Sequence, residues 1–228
     1  MLVNDAGEGY TGWLAVGDAP QGGRLYRAAK ACMDRLCAAG FLVLLSPVMA
    51  AIALSVRLDS PGPILFRQER VGEGGRVFII YKFRTMHNGA DTSVHQNHVA
   101  KYIRGEGTTL PVRKIEKDVR VTRLGRILRK SSLDELPQLF NVLRGELSLV
   151  GPRPPIPYEV EEYEEWHMRR LQVKPGITGL WQVTARSQTS FDQMVFLDIK
   201  YIQERSLLLD ILILLKTIPA VVSGKGAG

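Results

Sequence analysis

A run of 21 residues without a single charge, from Leu36 to Val56, constrains the fold of this 228-residue chain more than any other feature. As a helix the run would be about 31 Å long at ~1.5 Å per residue, which is enough to reach across a hydrocarbon core. Its length disfavours a buried core helix, and the 35 residues before it disfavour a cleavable signal peptide. The sequence therefore predicts a segment that lies in a membrane.

The path of this segment depends on Ser46 and Pro47, which lie at its middle. Proline removes a backbone donor and bends a helix at a cost of ~3 kcal/mol, and a neighbouring serine can bond the freed carbonyl groups. Arg35 and Arg57 flank the two ends of the run, so the positive-inside rule gives no orientation. Two paths stay open: a kinked span, and a helix that breaks at Ser46-Pro47 and returns to the same face.

Shifts in composition divide the chain into four parts. Residues 1–23 and 223–228 are predicted as flexible tails, residues 24–57 as a basic lead-in with the membrane helix, and residues 58–222 as a folded domain. Within this domain, residues 87–112 are polar and lack periodicity, which predicts a mobile loop. An apolar fraction of 45% is enough to build a sizeable core.

A β-hairpin is predicted directly after the membrane helix. Its strand-like runs extend from Ile64 to Val71 and from Arg76 to Met86, and a glycine-rich turn over residues 72–75 joins them. Aromatic and cationic residues alternate from Tyr81 to Arg84, so one face of the second strand would be apolar and the other basic.

Two further helices are predicted in the C-terminal half. The acidic run from Glu159 to Glu165 is typical of a solvated helix. The run from Ser206 to Ile218 carries Ser206, Asp210 and Thr217 on one face and leucine or isoleucine around the rest. It is too short to span a membrane, so an interfacial helix and a core helix stay equally open.

A net charge of +7 and a pI near 9.5 indicate an acidic partner. The charge concentrates between Arg113 and Lys130, where eight basic residues face two acidic ones. Such a run suits a solvated helix face, anionic lipid or nucleic acid. No helix-turn-helix, zinc-finger or RNP-like pattern accompanies it, so we expect no nucleic-acid partner.

The sharpest pattern surrounds two adjacent acids, Asp134 and Glu135. Ser132 and Glu135 have the spacing of a capping box, and Pro137 fits the first turn of a helix predicted from Leu136 to Leu147. Acids are ordinary choices in a first turn, so helix capping alone is the plain interpretation. The basic residues around the pair favour a chemical one.

Arg126, Arg129 and Lys130 precede the two acids, and Arg153 follows the predicted helix between prolines. Arginines around a helix N-terminus are typical of a phosphate site. Adjacent carboxylates would repel phosphate unless a cation such as Mg²⁺ offsets their charge. One carboxylate could then attack phosphorus while the other holds the metal, which predicts phosphoryl transfer at a membrane surface.

Several stretches resemble the bacterial sugar transferase family, the small monotopic phosphoglycosyl transferases that transfer sugar-1-phosphate to polyprenyl phosphate. With the membrane segment, the resemblance covers roughly residues 25–218. The departures are small: valine replaces the common proline in Asp118-Val119-Arg120, and the stretch after Trp181-Gln182-Val183 differs from the usual pattern. The matching stretches are Asp59 to Gly72, Tyr81 to Met86, Arg129 to Pro154 and Val173 to Val183.

The resemblance implies a helix-rich α+β monotopic membrane protein. Its membrane helix would be re-entrant and broken at Ser46-Pro47, followed by a small β-hairpin and by interfacial amphipathic helices around an active site. The catalytic domain, residues 58–222, would face the cytoplasm from the bacterial inner membrane. Because the extra N-terminal spans of long family members are absent, the chain is expected to be the minimal catalytic unit.

The resemblance also assigns roles. Asp134 would attack the sugar-bearing phosphate of a UDP-sugar and release UMP, and undecaprenyl phosphate would then accept the phosphosugar. Glu135 would assist with Mg²⁺, and both acids would bind the metal. The basic residues expected to contact phosphate or nucleotide are Arg153, Lys82, Arg84 and Arg129.

The expected partners are therefore a UDP-sugar, undecaprenyl phosphate and membrane lipids, with a homodimer left open. A member of this family would initiate the assembly of exopolysaccharide, O-antigen or a glycoprotein glycan. The alternative is a non-catalytic, membrane-anchored basic protein that binds anionic lipid or nucleic acid. The two acids distinguish them, because a pure binder has no use for carboxylates among arginines.

Overall fold

The computed structural model describes residues 23–87, 93–106, 120–184 and 189–222. Both predicted tails except Gly23, residues 88–92 and 107–112 of the predicted loop, the Asp118-Val119 departure and the stretch 185–188 lie outside these residues. The middle of that predicted loop forms a helix over Ser93–Ile103, so the prediction of a loop is wrong there. The described part is helix-rich and contains two small sheets, which confirms the predicted α+β class.

The first helix, α1, extends over Arg24–Asp59, close to the predicted 24–57. It is long and apolar enough to cross a membrane. The backbone stays helical through Ser46 and Pro47, so the helix is not interrupted at the predicted break. Ser46 Oγ donates to Val43 O at 2.8 Å. Since Val43 O is the acceptor that the missing N–H of Pro47 leaves free, the serine satisfies it as predicted.

Both halves of α1 pack on the rest of the chain. Near its start, Ala38 is fully buried in a core cluster that includes Val142. Near its end, Ile52 and Val56 are buried in a second cluster with Phe83. The outward face between these contacts is apolar and exposed, with Phe41, Val43, Leu44 and Val48 among its members.

The predicted hairpin is confirmed. Strands β1 (Leu65–Val71) and β2 (Val77–Phe83) pair antiparallel, with Arg67 opposite Tyr81. A 3-10 turn over Glu73–Gly75 joins them. Two consecutive glycines have positive φ in this turn, 69° at Gly74 and 76° at Gly75, a conformation that few other residues adopt without strain.

A second, parallel sheet was not predicted. Strand β3 (Ser148–Val150) pairs with β4 (Gly176–Thr178), and each is only three residues long. A Cβ atom at Gly176 would lie 2.1 Å from the backbone nitrogen of Gly151, so the two segments approach each other more closely than a side chain permits. Strands of this length are too short to show an alternating pattern.

Seven further helices surround these sheets in the described part of the chain. They are α2 (Ser93–Ile103), α3 (Arg123–Ser131), α4 (Gln138–Arg144), α5 (Pro157–Val160), α6 (Leu180–Thr184), α7 (Phe191–Glu204) and α8 (Leu207–Val222). The main core lies where α1, α4, β3, α7 and α8 meet, and its most buried members are Ala38, Val142, Leu147, Val150, Tyr201 and Ile213.

Helix α8 packs one face on the protein and leaves the other exposed. Its polar face contacts the protein: Asp210 is fully buried, and Thr217 lies within hydrogen-bond distance of Thr178. The opposite face is apolar and exposed, with Leu208, Leu215 and Ile218 each more than half accessible. This arrangement reverses that of a helix on a water-soluble protein.

Candidate active site

The two adjacent acids lie in a tight corner between α3 and α4. Helix α3 ends at Ser131, and Ser132 adopts the left-handed conformation with φ of 55°. A 3-10 turn then carries Leu133, Asp134 and Glu135 into α4. The predicted capping box is wrong, because Ser132 makes no side-chain cap and its N–H instead closes α3 on Arg129 O. The acids thus occupy the corner itself.

Asp134 is buried, with 8% of its surface exposed. Leu133 and Leu136, on either side of the acids, pack into the cluster formed by Ile52, Val56, Phe83 and Leu128. This packing fixes the corner against the end of α1. The Asp134 carboxylate is therefore held in apolar surroundings close to the C-terminal end of α1, where the chain continues into the hairpin.

Lys82 of β2 completes the pair. Its Nζ lies 2.8 Å from Glu135 Oε1, with both side chains partly buried. Burial raises the pKa of Asp134 to about 6, and the charge of Glu135 adds to the rise. Lys82 and, more weakly, Arg129 act in the opposite direction. Asp134 is therefore ionised at neutral pH but more basic than an ordinary aspartate.

Arg129 lies in the last turn of α3, and its Nε donates to Thr85 Oγ1 at 2.9 Å. This contact orients the guanidinium while its charge reaches Asp134. The structure thus brings three of the predicted site residues, Lys82, Arg129 and Glu135, around Asp134. Thr85 was not singled out from the sequence, although it lies within one of the matching stretches.

Arg84 does not join this group. Its side chain is buried, and its two terminal nitrogens donate to Pro61 O and Ser60 O at 2.6 Å and to Val56 O at 3.2 Å. These carbonyls belong to the C-terminal end of α1 and the turn that follows. The contacts give Arg84 a structural role in closing α1, which differs from the predicted phosphate contact.

Arg153 lies on a proline-rich loop after β3, and its Nη1 is 3.4 Å from Glu159 Oε1. Two buried arginines hold this loop: Arg70 donates to Pro154 O at 2.9 Å, and Arg170 donates to Arg153 O at 3.3 Å. Burial lowers the pKa of Arg70 and the charge of Glu135 raises it, so the acid pair interacts electrostatically with an arginine that holds the loop. Arg153 is about one-quarter exposed and therefore accessible to a ligand.

Comparison with known proteins assigns the chain to a family. The family described as "Bacterial sugar transferase" matches residues 25–224, almost the whole described chain. The chain belongs to the bacterial sugar transferase family. The resemblance inferred from the sequence is confirmed, and so is the prediction of an enzyme, since a member of this family is a transferase.

The share of each relative that this chain covers varies widely. The exopolysaccharide production protein ExoY of Sinorhizobium fredii is 40% identical over 202 residues, which cover 87% of this chain and 88% of ExoY. The galactosyl transferase CpsE of Streptococcus agalactiae is 44% identical over 200 residues, which cover 87% of this chain but 43% of CpsE. The UDP-glucose:undecaprenyl-phosphate glucose-1-phosphate transferase of Xanthomonas campestris is 41% identical, and the match covers 99% of this chain and 46% of that enzyme. The chain thus spans less than half the length of the two larger relatives.

The sequence did not predict several buried charged residues that hold the proline-rich loop of the sugar transferase site. Glu159 was expected on a solvated helix but is buried, with 6% exposed. Burial alone would raise its pKa, yet Arg153 and Arg70 bring the pKa below its ordinary value. Arg170 and Asp198 form a fully buried ion pair at 2.5 Å behind the loop. Arg70 lay within a matching stretch, whereas nothing in the local sequence indicated that Glu159, Arg170 or Asp198 is buried.

The acid pair also fits the Mg²⁺ that the family resemblance implies. No group of three or more histidine, cysteine or acidic side chains gathers around a metal position in the residues that the structure describes. Mg²⁺ binds through one or two carboxylates and completes its shell with water and substrate phosphate. Asp134 and Glu135 supply that donor set, and their mutual repulsion, which helps to raise the pKa of Asp134, is what a bound cation would relieve.

Proposed function

We propose that the chain transfers a sugar-1-phosphate from a UDP-sugar to undecaprenyl phosphate through a covalent ester on Asp134. The observation that carries this proposal is a buried carboxylate with a raised pKa, flanked by Lys82, Glu135 and Arg129. The Xanthomonas relative is a UDP-glucose:undecaprenyl-phosphate glucose-1-phosphate transferase, and an Aeromonas hydrophila relative is a UDP-N-acetylgalactosamine-undecaprenyl-phosphate N-acetylgalactosaminephosphotransferase, which supports these substrates. The alternative of a non-catalytic basic membrane protein is not favoured.

In the first half-reaction, a carboxylate oxygen of Asp134 attacks the sugar-bearing phosphorus of the UDP-sugar. A new bond forms between this oxygen and phosphorus, and the bridging bond to the uridine-bearing phosphate breaks. UMP leaves with the electron pair of that bond. Burial favours this step because a poorly solvated carboxylate with a raised pKa is a stronger nucleophile than a hydrated one.

In the second half-reaction, a phosphate oxygen of undecaprenyl phosphate attacks the same phosphorus. The bond to Asp134 breaks, the carboxylate is restored, and the product is a lipid-linked diphosphate sugar. Both steps develop negative charge on phosphate oxygens. Lys82 and Arg129, which already act on Asp134, are placed to stabilise that charge.

Asp134 and Glu135 are the residues that would hold Mg²⁺. When bound, the ion would supply charge neutralisation for the diphosphate. Lys82 holds Glu135 at 2.8 Å, which keeps the second carboxylate directed toward the same site. Arg153 is proposed to bind the nucleotide phosphate from the adjacent loop by a bidentate contact.

We also propose that α1 is re-entrant and that the catalytic domain faces the cytoplasm from the inner membrane. Both halves of α1 pack on the same small domain, which suits two ends on one side of a bilayer. Ser46 supplies the hydrogen bond that Pro47 removes at the middle of the apolar run. The outward faces of α1 and α8 are both apolar and exposed, and lipid would cover them.

The test is an assay of UMP release from membranes that contain the chain, supplied with a panel of UDP-sugars and undecaprenyl phosphate. We expect one or a few sugars to support release by the wild type. Asp134→Asn should abolish release with its membrane association intact. Release by the variant at a near wild-type rate would refute the proposed nucleophile.

A further inference from the structure

A second polar site lies at the start of α1, away from the acid pair. A cavity of about 230 Å³ opens between the first three turns of α1, the C-terminal end of α4 and the segment that joins α7 to α8. None of the residues placed above in the active site lines this cavity. Its cationic lining residues are Arg27, Lys30, Arg35, Lys174 and Arg205.

Two buried acids belong to this region: Asp34 lines the cavity, and Asp210 contacts two of the lining residues. Asp210 accepts hydrogen bonds from Lys30 Nζ at 2.8 Å and from Tyr201 Oη at 2.7 Å. Asp34 accepts from Ser148 Oγ at 2.7 Å and lies 3.8 Å from Lys30 Nζ. Lys30 forms an ion pair with Asp210 and lies close to Asp34, and hydroxyl groups donate to both carboxylates. Neither carboxylate forms an ion pair with Arg27, Arg35 or Lys174.

Arg35 and Lys174 converge on one point above Gly145, at the C-terminal end of α4. A Cβ atom built there would lie 2.9 Å from Arg35 Nη2 and 3.5 Å from Lys174 Nζ. Among the described residues, no carboxylate comes within ion-pair distance of Arg35, Lys174 or Arg27 (Glu73 lines the cavity but is exposed). Like charges that converge repel each other, and an anion between them relieves the repulsion.

The position of the cavity indicates which anions can reach it. Arg35 is the last charged residue before the uncharged run, so the cavity lies where α1 would meet the membrane surface. The next outward residues of α1 are apolar, and Leu36 is 68% exposed. A phosphate group in the cavity could therefore carry an apolar chain along α1. Basic pockets at this level of a membrane protein suit anionic headgroups.

We propose that this cavity binds the phosphate group of an anionic ligand, independently of the acid pair. Arginine recognises phosphate by paired hydrogen bonds, and lysine adds a point charge. The apolar part of the lining consists of Val142, Leu147, Val150 and Val173. The site does not depend on the proposed transfer reaction, because no residue of that reaction contributes to it.

The experiment is native mass spectrometry of the full chain, with phosphatidylglycerol and phosphatidylcholine as probes. We expect the wild type to retain one phosphatidylglycerol in preference to phosphatidylcholine. Arg35→Ala combined with Lys174→Ala should weaken this retention at least tenfold. Arg57→Ala combined with Lys216→Ala is the matched control, because it removes the same charge near the membrane but outside the cavity. Asp134→Asn should bind lipid as the wild type does.

Soluble phosphate esters form the second arm. If glycerol 3-phosphate displaces the lipid from the wild type, a water-soluble phosphate ester is a sufficient ligand. If the lipid stays bound, the ligand is the phosphate headgroup of a lipid. The single substitution Arg27→Glu, at an exposed position, keeps the test valid should the double variant fold poorly. Equal lipid retention by the wild type and both cavity variants would overturn the proposal.

Discussion

Lys82 Nζ lies 2.8 Å from Glu135 Oε1, and this ion pair adjoins the buried carboxylate of Asp134. The lysine neutralises one acid by contact and lowers the pKa of the other through space. Burial and Glu135 act in the opposite direction and are stronger, so the pKa of Asp134 rests near 6. One strand residue thereby acts on both acids.

The first prediction concerns this lysine. Lys82→Met removes a charge that lowers the pKa of Asp134, so the pKa should rise further. Since the nucleophile must be ionised, the acid limb of kcat/KM should move from near pH 6 to higher pH. Steady-state UMP release across pH 5–9 measures the shift, with Lys200→Met as the exposed-lysine control. An acid limb that stays at its wild-type position would contradict the assignment.

The second prediction concerns stability. The pKa of Asp134 rises from 3.8 to about 6 on folding, so the folded state binds the proton more tightly than the unfolded state. Stability attributable to this group is therefore highest below pH 4 and declines as pH rises through 6. Asp134→Asn removes the buried charge and should raise the unfolding free energy above pH 6 by roughly 1–3 kcal/mol.

Thermal unfolding of detergent-solubilised protein at pH 7.5 measures this gain, and Asp59→Asn is the exposed control. The gain should shrink as pH falls and vanish below about pH 3, where Asp134 is protonated in both states. A variant that is less stable than the wild type at pH 7.5 would show that the carboxylate stabilises the fold rather than straining it.

The third prediction addresses the proline-rich loop. Arg153→Ala should lower kcat/KM for the UDP-sugar by about tenfold to a hundredfold, as expected for a lost charged hydrogen bond. Glu159→Gln should produce a smaller loss, because Arg153 keeps its charge but loses the partner that orients it. Far-UV circular dichroism serves to exclude unfolding. An unchanged kcat/KM in Arg153→Ala would remove the residue from substrate binding.

The fourth prediction follows from the re-entrant path of α1. In a chain with Cys32→Ser and Cys37→Ser, single cysteines introduced as Arg24→Cys and Arg76→Cys bracket the membrane helix. A membrane-impermeant maleimide should label both only when the cytoplasmic face is exposed, as in inverted vesicles. Labelling of one position from outside intact cells and of the other from the cytoplasmic face would establish a complete crossing.

The hairpin and the membrane helix were predictable because local patterns determine them. Glycines at 74 and 75 meet a backbone requirement, and the uncharged run from Leu36 to Val56 forms a helix that is long and apolar enough to cross a membrane. The family assignment was also predictable, since long matching stretches carry it. These features need no knowledge of contacts distant in sequence.

The environment of the acids was not predictable in the same way. Asp134 is buried by leucines that pack against the end of α1 and against Phe83, and those contacts exist only in the folded chain. The spacing of Ser132 and Glu135 indicated a cap, but the left-handed serine turns the chain before a cap can form. The partners of Arg84 lie 23 or more residues away in the sequence, and the partner of Glu159 is Arg153 on the proline-rich loop. Neither role can be predicted from the local sequence.

The central claim is that phosphorus becomes bonded to Asp134 during turnover. Intact-protein mass spectrometry of enzyme incubated with a UDP-sugar and no acceptor lipid measures this directly. We expect a mass increase equal to one sugar phosphate, which peptide sequencing places on Asp134 and which disappears when undecaprenyl phosphate is added. An adduct on another side chain, or UMP release without any adduct, would contradict the mechanism.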